Sequence, residues 1–131
     1  MIFLDTDTIS YYFNGNNNVT TKLIETFKND ESVAITSINV YEILKGLKYK
    51  NNNRKMKDFE KLLKYLLIFS LDEKVILEAA DIYSYLRNNG KTISDADILV
   101  AATVIKNNGI LISNNTKHYK DIPNLKLMNW L

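Results

Sequence analysis

Short apolar runs alternate with longer amphipathic stretches along this chain. Unbroken apolar runs are typical of strands that are buried on both faces, as in parallel sheets. Stretches in which apolar residues recur every three or four positions are typical of helices. The strands predicted in this way are 2–4, 33–36, 67–71 and 110–112, with a short edge strand over 125–128. The predicted helices are 6–13, 19–27, 38–47, 56–66, 72–88 and 94–105.

The regular alternation of strands and helices predicts an α/β fold. We expect a single domain over residues 1–131, built on a central parallel sheet of four or five strands with helices on both faces. Ser37 and Ser94 precede two of the helical patterns and are suitable N-cap residues. The chain shows no internal repeat and no linker.

The composition excludes several classes of site. The chain has no cysteine, which rules out disulfides, thiolate metal sites and cysteine nucleophiles and favours a reducing cytoplasm. A single histidine, His118, excludes a histidine-rich metal site, and we assign this residue a structural role. No apolar run approaches the roughly 20 residues of a membrane span, so we expect no membrane association. The net charge of +2 does not indicate a partner.

Three acidic residues stand out by their position. Asp5 follows the first strand directly, Glu42 lies in the helix after the second strand, and Asp97 lies in the first turn of a largely apolar helix. Ligands of open α/β sheets collect at the edge where strands end, so the acids of neighbouring strands would converge there. Clustered carboxylates repel one another unless a proton or a cation intervenes, and oxygen ligands select Mg²⁺ or Mn²⁺. Such a site suits phosphodiester hydrolysis.

Each acid also has a purely structural explanation. Asp5 would cap the helix that follows it, and Glu42 would be a solvated helix residue. Asp97 has the spacing from Ser94 of a capping box, in which its carboxylate reaches back to the N-cap amide. Composition alone does not separate these explanations from a metal site.

Two aspartates at the start of the sixth predicted helix are candidates for the metal ligand. Asp95 and Asp97 are two residues apart and therefore face different directions. We prefer Asp97 as the metal ligand, because the small Ala101 lies one turn below it and allows a close approach to the sheet.

A basic run without an intervening acid follows the Glu42 helix. Such a run is either a solvated face or a surface for a polyanionic backbone, for which positive charge and aromatic rings are the expected means. Tyr49 lies within it. Its basic residues are Lys45, Lys48, Lys50, Arg54, Lys55 and Lys57.

Four sequence blocks together resemble the PIN-domain nucleases, and within them the VapC-type toxins of prokaryotic toxin–antitoxin pairs. The blocks are residues 4–7, 38–47, 97–102 and 111–119, with a closing Asn-Trp at 129–130. The resemblance implies that Asp5, Glu42 and Asp97 form an acidic triad that binds Mg²⁺ or Mn²⁺ and cleaves RNA. Asn115 matches a position that often carries a fourth acid, and it would orient a water or a phosphate. The resemblance also implies a homodimer and a cognate VapB-like antitoxin that occludes the pocket.

A phosphatase of the haloacid-dehalogenase type is an alternative. Its first motif, an apolar strand followed by Asp-x-Asp-x-Thr, fits Asp5 and Asp7. Residues 110–114 resemble its second motif. The required downstream acidic pair is missing, because a single acid, Asp121, follows Asn114.

A non-enzymatic phosphoacceptor receiver domain is a further alternative, since it has a similar length and a parallel sheet. Asp72 would be its phosphoacceptor after a central strand, and Lys120 its late lysine. This interpretation leaves Glu42 and Asp97 without a role.

Overall fold

The computed structural model describes residues 1–131 and confirms the predicted α/β class. Five parallel strands form one sheet in the order β3-β2-β1-β4-β5. The strands are β1 Ile2–Leu4, β2 Val33–Thr36, β3 Leu67–Phe69, β4 Ile110–Ile112 and β5 Lys126–Met128. The helices are α1 Thr6–Phe13, α2 Asn17–Lys28, α3 Ser37–Tyr49, α4 Asn53–Leu63, α5 Glu73–Asn88, α6 Asp95–Lys106 and α7 Thr116–Tyr119. No helix has the length and apolar character that crossing a membrane requires.

The strand order reverses beside β1. From β1 the chain first builds outwards through β2 and β3, and it then returns to add β4 and β5 on the other side. Leu4 pairs with Ile112, so β1 and β4 end level with each other at the carboxyl edge. A crevice at such a reversal is the usual ligand site of an open parallel sheet.

The sheet separates two hydrophobic cores. Side chains alternate along β1, so that Ile2 and Leu4 pack on one face and Phe3 on the other. Helices α1 to α4 supply the core around Leu4, whereas α5 and α6 supply the core around Phe3. Because both faces are covered, the central strands are fully buried, as their unbroken apolar sequences predict.

Some local predictions are wrong. Thr36, not Ser37, is the N-cap of α3, since its hydroxyl accepts a hydrogen bond from the Asn39 amide at 3.1 Å. Strand β3 is shorter than predicted and lies at the edge of the sheet, where Leu67 and Ile68 are half exposed. Helix α7 was not predicted, because a single helical turn is too short to produce a periodic pattern.

Candidate active site

Asp5 lies at the reversal point, at the carboxyl end of β1, and is only 5% exposed. Its Oδ1 accepts a hydrogen bond from Asn39 Nδ2 at 2.9 Å, and its Oδ2 accepts one from Ser113 Oγ at 2.7 Å. Although Asp5 occupies the N-cap position of α1, its side chain makes no capping hydrogen bond. The carboxylate is thus held between the residues that follow β2 and β4, and the explanation of Asp5 as a helix cap is wrong.

Burial dominates the electrostatics of Asp5 and raises the pKa of its carboxyl to about 6. The hydrogen bond from Ser113 opposes this shift in pKa, and the nearby Asp7 carboxylate adds to it. Desolvation and a neighbouring like charge both disfavour an ionised carboxylate. The site therefore stabilises the negative charge of Asp5 less well than water does.

Glu42 is joined to Asp5 through a buried amide. Asn39 Nδ2, which donates to Asp5, also lies 3.5 Å from Glu42 Oε1. Thr6 Oγ1 donates to the same Glu42 oxygen at 3.1 Å. The Asn39 side chain is held in turn by Thr36 Oγ1, which donates to its Oδ1 at 2.7 Å. Glu42 is therefore part of a polar network with Asp5 and not an isolated solvated acid.

Asp97 forms half of the capping box. Its backbone amide donates to Ser94 Oγ at 3.2 Å, but its carboxylate points elsewhere. Tyr119 OH donates to Asp97 Oδ1 at 3.2 Å, and His118 Nδ1 lies 3.3 Å from Oδ2. His118 is mostly exposed and contacts an acid of the site, and its structural role stays a prediction.

The loop after β4 is held beside Asp5 by backbone and side-chain contacts. The Asn115 amide donates to Ser113 Oγ at 3.0 Å, and the Asn114 amide donates to Asp7 Oδ2 at 2.9 Å. The Asn115 side chain is exposed and makes no hydrogen bond. Its auxiliary role at the site stays a prediction.

Only part of the basic run lines a cleft with Glu42. Lys50 and Lys55 line a cleft of about 350 Å³ together with Glu42. Arg54 and Lys57 line a separate cleft on α4. Lys50 and Lys55 are thus the members of the run that share the cleft of Glu42, and Lys55 also lines a further cleft with Arg54.

A second cleft, of about 250 Å³, lies at Asp97. Asp97 lines it together with Lys91 and Lys117. Lys91 is partly neutralised by Asp121, since its Nζ lies 3.8 Å from an oxygen of that carboxylate. Glu42 and Asp97 thus each line a cleft that also carries lysines.

Three residues that hold the acids in place were not predicted from the sequence, namely Asn39, Ser113 and Tyr119. Asn39 had a local signal, since a polar residue three positions before Glu42 shares its helix face. Ser113 had a weaker one, because it directly follows an apolar strand. Nothing in the local sequence distinguished Tyr119.

The fold and site define a known family. The PIN domain family model matches residues 2–124, and the chain therefore belongs to the PIN domain family. It is 30% identical over 128 residues to Ribonuclease VapC2 of Rickettsia felis, with 97% of this chain and 96% of the relative covered.

Solved structures of relatives show the same fold along their whole length. The structure of VapBC2 from Rickettsia felis, bound to a DNA fragment from its promoter, matches with a TM-score of 0.92 and 30% identity, and both chains are fully covered. FitAcB from Neisseria gonorrhoeae matches with a TM-score of 0.85 and 27% identity, over 98% of this chain and 97% of that one.

Membership of the PIN domain family rules out the phosphatase and receiver-domain alternatives. The local structure agrees, because Asp72 follows an edge strand and caps α5 by accepting a hydrogen bond from the Val75 amide at 3.0 Å. Asp7, the second acid of the phosphatase motif, is engaged by the backbone after β4.

Proposed function

We propose that this chain is an endoribonuclease of the VapC type, whose activity depends on Mg²⁺ or Mn²⁺ held by Asp5, Glu42 and Asp97. The observation that carries the proposal is the buried Asp5 carboxylate, with its raised pKa, in a network that includes Glu42. The name of the relative from Rickettsia felis supports RNA as the substrate. We propose that the enzyme acts in the cytoplasm, where that substrate is.

The donor atoms fit a hard divalent cation. The three acids offer carboxylate oxygens, and Asp5 keeps free lone pairs because each of its oxygens accepts a single side-chain hydrogen bond. No group of three or more acidic or histidine side chains is already arranged around one point. We therefore propose that the ion binds one or two of these carboxylates and keeps several waters, as Mg²⁺ commonly does in proteins.

In this proposal Asp5 and Asp97 are the direct ligands, and Glu42 is either a ligand or the base that takes a proton from the attacking water at Oε. When bound, the ion would hold the scissile phosphate, lower the pKa of a water and stabilise the leaving oxygen. The exposed amide of Asn115 would contact the water or a phosphate oxygen. The lysines of the Glu42 and Asp97 clefts would hold the RNA backbone.

Cleavage of a labelled RNA pool by the purified chain, with Mg²⁺, Mn²⁺ or EDTA, tests this proposal. We expect fragments with either ion and none with EDTA. Asp97→Asn should abolish cleavage, whereas Asp95→Asn on the same helix turn should retain it, because Asp95 is exposed and makes no side-chain contact with the other acids. Full activity of Asp5→Asn and Asp97→Asn, or cleavage in EDTA, would refute the metal site.

We also propose that the chain pairs with a VapB-like antitoxin, as the complexes formed by its relatives indicate. An apolar cleft of about 740 Å³ offers a docking surface, and large exposed apolar patches mark such surfaces. Its apolar lining residues are Tyr12, Phe13, Phe27, Leu62 and Tyr65. Phe13 also lines the Glu42 cleft, so a peptide bound in the apolar cleft would extend towards Glu42.

Co-purification with candidate antitoxins from the source genome tests this partnership. Tyr65 is 72% exposed, so Tyr65→Ser should leave the fold and RNA cleavage intact and weaken the complex. A complex unaffected by this variant would exclude the apolar cleft as the docking surface. Light scattering of the isolated chain tests the proposed homodimer, which the exposed apolar side chains of α5, among them Leu77 and Tyr83, support.

A further inference from the structure

Tyr119 is a buried hydroxyl that the proposed mechanism does not use. It lies on α7, directly after the loop that holds Asn115, and is only 2% exposed. Its hydroxyl donates to Asp97 Oδ1 at 3.2 Å. The hydroxyl is therefore a buried hydrogen-bond donor to one acid of the site.

The hydrogen bond restricts the Asp97 carboxylate. Asp97 lies in the first turn of α6, where an aspartate side chain is otherwise free to rotate or to bond to backbone amides. With Oδ1 held by Tyr119, Oδ2 is directed to the side where His118 lies, in the cleft that also contains Lys117. A carboxylate that is already oriented loses less conformational freedom when it binds an ion.

We propose that Tyr119 is a positioning residue of the metal site, whose hydroxyl holds Asp97 in the orientation that binds the divalent cation. This inference rests on the proposed function. It assigns to α7 the task of orienting one ligand, while Asn39 and Ser113 orient Asp5. Loss of such a supporting hydrogen bond typically weakens metal binding or activity by about 10-fold or more.

The test compares Tyr119→Phe with wild type in calorimetric titrations of Mn²⁺ and Mg²⁺ without RNA. Phenylalanine keeps the buried ring and removes only the hydroxyl. Thr103→Val is a matched control, because it also removes a buried hydroxyl hydrogen bond associated with α6, here to the Leu99 carbonyl at 2.7 Å. We expect Tyr119→Phe to bind the ion about 10-fold more weakly and Thr103→Val to bind it like wild type.

RNA cleavage by the same variants separates positioning from general damage. A positioning role predicts that Tyr119→Phe loses activity at limiting ion and recovers it at saturating ion. Unchanged ion affinity, with or without a lower melting temperature, would show that the hydroxyl is purely structural and overturn the inference while leaving the metal site intact. Failure of the wild-type chain to bind either ion would overturn the proposed metal site and this inference with it.

Discussion

Replacing Asp5 with asparagine should stabilise the folded chain at neutral pH when divalent cations are removed. Asp5 is buried, and the pKa of its carboxyl is raised from 3.8 to about 6. An asparagine has almost the same shape. Its carbonyl can accept the hydrogen bond from Asn39, and its amide can donate to Ser113 Oγ, so the variant removes a charge without leaving a cavity.

The magnitude follows from proton linkage. Between pH 3.8 and about 6 the native state holds more protons on Asp5 than the unfolded state does, so the free energy of unfolding falls as the pH rises through that window. Above this pH window, the folded state bears the full free-energy cost of burying the ionised Asp5 carboxylate. At 1.36 kcal/mol per pKa unit, this cost is about 3 kcal/mol at pH 7. Because asparagine loses the charge-assisted hydrogen bonds, we expect a net gain of about 1–2 kcal/mol.

Urea unfolding at a series of pH values between 3.5 and 8 measures this difference in EDTA. The advantage of Asp5→Asn should be largest at pH 7 and should become small at pH 3.5, where the wild-type carboxyl is mostly protonated in both states. Asp81→Asn provides the control, since Asp81 is exposed on α5 and the same substitution there should have little effect at any pH. The reasoning would be refuted if the free energy of unfolding had the same pH dependence in wild type and Asp5→Asn, or if Asp5→Asn were less stable than wild type at pH 7.

Three further variants test separate parts of the structure. A Cβ added by Gly109→Ala would lie 2.5 Å from the buried ring of Phe3, so we expect unfolding experiments to show a loss of about 1–3 kcal/mol. Ser113→Ala removes a donor to the Asp5 carboxylate and should raise the pKa of that carboxyl above 6, measured by carboxyl NMR. Joint replacement of Lys50 and Lys55 by glutamine should weaken RNA binding in EDTA and reduce its salt slope by about 1.4, measured by fluorescence anisotropy.

For each of these variants, a specific result would contradict the prediction. A Gly109→Ala protein as stable as wild type would mean that the Phe3 ring yields easily. An unchanged or lower pKa of Asp5 in Ser113→Ala would exclude the proposed effect of the hydrogen bond. Arg54→Gln with Lys57→Gln is the control for the lysine pair, because neither of these residues lines the Glu42 cleft. Equal losses of RNA binding from both pairs would mean that the whole basic run, and not the Glu42 cleft, contacts RNA.

The fold could be predicted from the sequence because its central strands are buried on both faces. This burial produces the apolar runs at 2–4, 33–36 and 110–112, which the structure confirms. The edge strand β3 was less well predicted, since packing on a single side tolerates half-exposed residues. The N-cap of α3 differed by one residue, because threonine and serine have the same capping chemistry and the last residue of β2 carries the cap.

The supporting residues of the site could not be predicted in the same way. The hydrogen bonds that hold Asp5 and Asp97 join residues separated by 34, 108 and 22 positions in the sequence. Periodicity specifies which face of an element is buried, but it does not specify which strands become neighbours. Ser113 reaches Asp5 only because β4 pairs with β1, and that pairing is a property of the sheet order.

Hydrogen bonds alone do not compensate for the burial of the Asp5 carboxylate. Asp5 accepts bonds from two side chains, and no buried side-chain polar atom in the structure lacks a partner. Its pKa is nevertheless raised, chiefly by burial, so the hydrogen bonds do not offset the desolvation as a positive charge would. No lysine or arginine forms an ion pair with Asp5, Glu42 or Asp97. A bound divalent cation would supply that charge directly, which is why the stability gained by Asp5→Asn and the proposed loss of ion binding have one electrostatic origin.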